Sequence, residues 1–138
     1  MRKILTLFTL FALLSTIQVF SQEKQYQLSS HILDINTGYP AKDVKISLSK
    51  MNNASQWTVI DEKVTDTNGR VKDFLPQNDK SGNKGIYKLT FHTEPYFKSQ
   101  DKSSFYPFIE VVFEIKDDSH YHVPITLSPY GYSTYRGN

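Results

Sequence analysis

Four histidines, an arginine set directly after a turn and a tyrosine-rich ending are the residues through which this chain could do chemistry. His120 and His122 flank Tyr121, and residues two apart in a strand share a face. With a third ligand such a pair could hold a metal ion. Otherwise His120 faces solvent at the start of the strand and His122, further in, sits in a pocket. Histidine is the usual general base near neutral pH, and His122 is the better placed of the two for that work. His31 lies inside an earlier β-favouring run and reads either as a hydrogen-bonded structural residue or as a second working imidazole. His92 closes another run at His92-Thr93-Glu94-Pro95 and reads as a surface residue. Arg70 follows Asn68-Gly69 directly; it is either solvated or held to donate two parallel hydrogen bonds to a carbonyl or carboxylate. The stretch from Tyr130 to Asn138 carries Tyr130, Tyr132, Tyr135 and Arg136. Chain ends are usually frayed and polar, so an aromatic ending suggests docking in a pocket or pairing with a neighbouring subunit.

Other chemistries are excluded by what is missing. The chain has 0 cysteines, so it has neither a thiol nucleophile nor a disulfide framework. It contains no Gly-x-Ser-x-Gly elbow and no phosphate-binding glycine loop. A reaction here must rely on histidine, arginine, carboxylates or hydroxyls.

These residues need a scaffold, and the sequence supplies one domain preceded by a leader. Arg2 and Lys3 are followed by an apolar run from Ile4 to Phe20, and Val19 and Ser21 are small enough for a signal-peptidase site. Residues 1–21 therefore read as a secretory signal and 22–138 as the mature domain, exported to a periplasm or the exterior. The apolar run is short for a bilayer span and no basic stop-transfer residues follow it, so no membrane contact is expected after signal removal. The formal net charge of +2 comes from 16 basic and 14 acidic residues, and Arg2 and Lys3 account for the whole excess. A neutral mature domain gives no reason to expect a nucleic-acid partner.

The mature region reads as short strands separated by turns. Residues 26–35, 44–48, 57–64, 71–75, 85–93, 108–115, 121–127 and 132–135 alternate or favour β structure, and Asp66-Thr67-Asn68-Gly69 is a hairpin signal. Residues 95–102 lack alternation and open on proline, which suits one short helix. The expectation is an all-β, two-sheet β-sandwich of seven to eight strands with one short helix.

Three motifs then carry a resemblance. Ser30-His31-Ile32-Leu33-Asp34 with Gly38-Tyr39-Pro40-Ala41 forms the first, and Thr67-Asn68-Gly69-Arg70 the second. The third is His120-Tyr121-His122-Val123-Pro124 with the ending Leu127 to Gly137, closing on Tyr135-Arg136-Gly137. Together they resemble the 5-hydroxyisourate hydrolases of the transthyretin-like (prealbumin-like) family. The sister carriers of that fold have Lys, an acidic residue and Thr where this chain has His31, Arg70 and His122, and they lack the Tyr-Arg-Gly ending.

The resemblance implies a cofactor-free hydrolase of purine metabolism. It would open the ring of 5-hydroxyisourate, the product of urate oxidation, to give 2-oxo-4-hydroxy-4-carboxy-5-ureidoimidazoline. It implies His31, Arg70 and His122 as catalytic residues. It implies His31, Arg70, Tyr135, Arg136, Gly137 and Asn138 as substrate-binding residues, with no metal. It also implies a homotetramer with sites at subunit interfaces and a small molecule as the other partner. One departure stands out: the family's usual last residue is Ser, and here it is Asn138, whose amide can still donate and accept hydrogen bonds.

Overall fold

In the computed structural model of the 138-residue chain, residues 24–77 and 82–138 are described. The leader expected over residues 1–21 lies outside them. The chain forms β1 (Tyr26–Asp34), β2 (Tyr39–Pro40), β3 (Lys45–Met51), β4 (Trp57–Val64) and β5 (Arg70–Pro76). There follow β6 (Gly85–Phe91), the helix α1 (Glu94–Lys98), β7 (Ile109–Ile115), β8 (Tyr121–Ser128) and β9 (Gly131–Thr134). One sheet runs β2-β1-β8-β9 with β5 also paired to β1, and the other runs β4-β3-β6-β7. Among the described residues, the expected two-sheet sandwich and one short helix are both present. The two-residue β2 is the element that alternation could not reveal, since a strand of 2 residues has no period.

The core lies between the sheets and follows the strand period. Along β1, Leu28, Ser30, Ile32 and Asp34 are buried while Ser29, His31 and Leu33 are only partly so. Leu28 and Ile32 meet Phe74 of β5 and Ile125 and Leu127 of β8 in one cluster with Leu89 and Phe91 from the other sheet. Each such side chain contributes roughly 1.5–3 kcal/mol through burial. The three buried polar side chains on β1 are satisfied, that of Gln27 by donating to the Asp117 and Ser119 carbonyls and accepting from the Asn83 amide. Ser30 Oγ donates to the Val123 carbonyl at 2.8 Å. The Asp34 carboxylate accepts from the Asn36 N–H at 2.8 Å and from the Tyr96 hydroxyl, on α1, at 2.8 Å. Burial, with Asp34 beside it, pushes the Tyr96 phenol up to about 12.

The turn at Asp66–Gly69 forms, but it does not make the expected hairpin. Asp66 N–H donates to the Arg70 carbonyl and Gly69 N–H to the Asp66 carbonyl, both at 2.9 Å. After this first pair the strands part. β4 ladders onto β3 in one sheet and β5 onto β1 in the other, and among the described residues no ladder joins β4 to β5. The reason is burial. Val71, Phe74 and Leu75 are apolar residues that must cover the core, whereas β4 is exposed along most of its length. Only Gly69 of the central pair has positive φ, at +67°, so this is not the doubly left-handed turn that Asn-Gly often signals.

Gly69 fits a space that admits no side chain. Its carbonyl accepts from the Ile32 N–H at 2.9 Å, and a Cβ there would lie 2.6 Å from the Ile32 carbonyl oxygen and 2.9 Å from Pro40 Cβ. Gly69→Ala should therefore destabilise the fold by roughly 1–3 kcal/mol or more. A denaturant titration showing an unchanged midpoint would contradict this account of the turn.

Candidate active site

The outward face of the first sheet collects the predicted residues. β1 runs antiparallel to β5 with His31 opposite Arg70, and parallel to β8 with Ser29 opposite His122 and His31 opposite Pro124. His122 is thus the diagonal neighbour of His31, two residues removed along the adjacent strand, within reach of long or aromatic side chains. Arg70 is placed by the turn before it. The Asp66 carboxylate accepts the backbone N–H groups of Asn68 at 2.8 Å and Arg70 at 2.9 Å, and the Arg70 hydrogen bond is the main reason that carboxyl is held below its ordinary range. The three strands together bring His31, Arg70 and His122 from sequence positions far apart to one patch.

Both imidazoles there are pushed towards neutrality. Burial lowers the pKa of His31, and the Arg70 guanidinium lowers it further; a backbone hydrogen bond at Asn68 and the Asp66 charge oppose this. Burial again comes first for His122, followed by the positive charges of Arg70, His31 and His120, with a backbone hydrogen bond at Ser29 opposing. A neutral imidazole beside a fixed cation combines a proton acceptor with a group that stabilises developing negative charge.

In the C-terminal segment Gly137 reaches His122, whereas the cleft lined by Tyr135 and Arg136 includes neither His31 nor Arg70. β9 pairs with β8, and beyond it the Gly137 N–H donates to the His122 carbonyl at 2.9 Å. A Cβ on Gly137 would lie 2.4 Å from His122 Cδ2 and 3.1 Å from Cγ, so the glycine backbone packs against the imidazole where no larger residue fits. Tyr135 and Arg136 line a cleft of 410 Å³ shared with His122, Tyr121 and the edge of β7. The Arg136 guanidinium lies 4.9 Å from the centre of the Tyr121 ring, a cation–π contact. Asn138 is exposed.

The remaining histidines separate cleanly. His92 is half-buried on the other sheet, where its Nε2 is 2.8 Å from Ser47 Oγ and burial lowers its pKa. His120 is exposed, as expected for the start of the strand. The side chains of His120 and His122 converge on one point, and a hydroxyl occupies it. Both meet the hydroxyl of Ser29, at 2.9 Å and 2.8 Å. Among the described residues no group of three or more His, Cys, Asp or Glu side chains is placed to hold a metal ion. Sequence reasoning missed Ser29. The available signal was its position two residues before His31, hence on the same face.

Comparison with known proteins places this geometry. Residues 28–137 match the model of the HIUase/Transthyretin family. The chain belongs to that family. It is 46% identical over 131 residues to a probable 5-hydroxyisourate hydrolase of Caenorhabditis elegans, covering 93% of this chain and 95% of the relative. It is 41% identical over 114 residues to the 5-hydroxyisourate hydrolase of Mus musculus, covering 80% of this chain and 94% of that one. Among solved structures, the 5-hydroxyisourate hydrolase of Klebsiella pneumoniae superposes with a TM-score of 0.68 at 36% identity, covering 80% of this chain and 98% of the other. Sea bream transthyretin in complex with thyroxine gives 0.74 at 30% identity, covering 80% and 94%. The fold is common to hydrolase and carrier within the HIUase/Transthyretin family, so function must be argued from the site.

The lowered histidines have a consequence for stability. A group whose folded pKa is depressed binds its proton more readily in the unfolded chain, so stability rises with pH across the window between the two values. For His31, His92 and His122 that window lies below the ordinary histidine value of 6.5. Stability should be full above it and should fall as pH drops through it. Thermal unfolding followed from neutral to mildly acidic pH should show this slope, reduced in His122→Asn; a profile that is flat across the window would contradict the shifts.

Proposed function

We propose that this chain is a 5-hydroxyisourate hydrolase that opens the six-membered ring by histidine-assisted attack of water on a ring carbonyl. The observation that carries this reading is the meeting of His31, Arg70 and His122 on one face of one sheet. That set suits hydrolysis better than carriage of an apolar ligand, because it places two neutral bases beside a fixed cation. Water adds to the carbonyl carbon and gives its proton to an imidazole. The oxyanion that forms is stabilised by Arg70. The ring C–N bond then breaks as the nitrogen takes up a proton, giving 2-oxo-4-hydroxy-4-carboxy-5-ureidoimidazoline. Tyr135 and Arg136 line the approach, Gly137 backs His122, and Asn138 supplies an amide for hydrogen bonding.

The test follows fresh 5-hydroxyisourate, generated from urate in the cuvette, by its ultraviolet absorbance. The protein should speed its decay, and His122→Ala should lower the rate by about 10²–10⁴, the usual worth of general-base help. Decay no faster than in buffer, from a folded protein, would sink the proposal.

The working form is proposed to be a homotetramer with sites at subunit interfaces. What supports this is the state of the edges and face in a single chain. β7 and β9 each end a sheet, and open strand edges are sites of pairing. Val112 on β7 is 57% exposed and Tyr135 is 60% exposed, and tyrosine is enriched at interfaces. Light scattering should give the mass of four subunits, and a fully active monomer would refute the assembly. We also propose export to a periplasm or the exterior, on the strength of Arg2, Lys3 and the apolar run that follows; the substrate places the chain after urate oxidation in purine breakdown.

A further inference from the structure

The bonds around Ser29 go further than the site's membership, because hydrogen-bond direction can be worked out along them. His120 Nδ1 lies 3.1 Å from the Tyr26 carbonyl oxygen. A carbonyl only accepts, so Nδ1 carries the proton; in the tautomer this contact selects, Nε2 is the acceptor. That Nε2 is 2.9 Å from Ser29 Oγ, so the serine hydroxyl donates to it. With its one proton committed, Ser29 Oγ can only accept from its second neighbour, His122 Nδ1, at 2.8 Å. His122 must therefore carry its proton on Nδ1, which leaves Nε2 bare. Among the described residues that Nε2 has no hydrogen-bond partner, and it is not among the buried unsatisfied atoms, so it is open to a water molecule.

We infer that Ser29 and His120 are positioning residues that fix the tautomer of His122, making Nε2 of His122 the atom that takes the proton from the attacking water. The inference rests on the reading of this patch as a hydrolase site and deepens it by choosing between the two histidines and naming the nitrogen. The chain of direction starts from a backbone carbonyl that cannot reverse its role, so the polarity of the relay is set by the fold. Ser29 lies opposite His122 in the parallel β1–β8 register, which brings the hydroxyl against the near side of the ring. The Gly137 backbone packs against the ring as well, close to Cδ2. Orientation and protonation are thus fixed by separate contacts. In the serine-protease triad a catalytic imidazole left in the wrong tautomer loses up to about 10⁴ in kcat, which shows how much such an arrangement can matter.

The experiment reads the tautomer directly. Nitrogen-15 spectra of the full-length protein, with imidazole resonances assigned by comparison with His31→Asn, His120→Leu and His122→Asn, distinguish a protonated from a bare ring nitrogen. In the wild type at neutral pH, His122 should show a protonated Nδ1 and a bare Nε2. Ser29→Ala should lose that preference and lower kcat by tenfold or more with little change in KM, within the roughly 10²–10⁴ that a general base supplies. Ser29→Thr, which keeps the hydroxyl, should restore both the spectrum and most of the lost rate. His120→Leu leaves the serine hydroxyl free to turn either way and should give a mixture of tautomers. A wild-type His122 protonated on Nε2 overturns the inference, as does a Ser29→Ala protein with spectrum and kcat unchanged. If the wild type does not hydrolyse 5-hydroxyisourate at all, the proposed function falls, while the nitrogen shifts still decide whether Ser29 and His120 set the tautomer.

Discussion

The parallel register between β1 and β8 is the constraint on which the rest of the site depends. It is held from Leu28 opposite Tyr121 to Asp34 opposite Leu127. The alternating burial of both strands makes any other register expensive. A slip by one residue would turn Leu28 and Ile32 outwards and drive His31 into the core. The same register that buries the leucines and isoleucines therefore sets Ser29 against His122 and leaves His31 one diagonal away. Stability and chemistry use opposite faces of the same two strands, and neither can be moved without the other.

Around that register the electrostatics are asymmetric by construction. The cation of the patch comes from β5, whose start is held by the Asp66 carboxylate through backbone N–H groups. Those bonds leave the guanidinium of Arg70 free for the outward face. Partial burial and this cation act in the same direction on His31 and His122, so the imidazoles are kept as bases without a buried carboxylate beside them. The buried carboxylate that the sheet does contain, Asp34, is bound by the turn after β1 and by Tyr96, and serves to tie α1 to the strand end.

Much of this was legible in the sequence, and the limits have physical causes. Strand positions could be read because one face of each strand is apolar, and β1, β3, β4, β7 and β8 lie close to where alternation put them. The turn at Asp66–Gly69 was visible from its residue types, but its partners were not, because the choice between a hairpin and a crossing to the other sheet is made by burial of Val71 and Phe74 against distant residues. The histidines and Arg70 stood out by type and by family motif. The link between His120 and His122 did not, since the hydroxyl that joins them lies 91 and 93 positions away. The two histidines share a serine hydroxyl from the neighbouring strand, a link that spacing within one strand could not show.

The topology also has a direction in time. The sheet built from β3, β4, β6 and β7 closes within residues 45–115, and two of its ladders join neighbouring strands. The sheet that carries the histidines joins β1 to β8 across almost the whole domain. Contacts so distant along the chain form late, because loop closure must precede their reward. A chain emerging from the ribosome can thus complete its plain half while β1 waits, one edge uncovered, for a partner not yet synthesised. The half that does the chemistry is the half that ripens last, and any chain cut short before Tyr121 would contain a nearly finished sheet and no site at all.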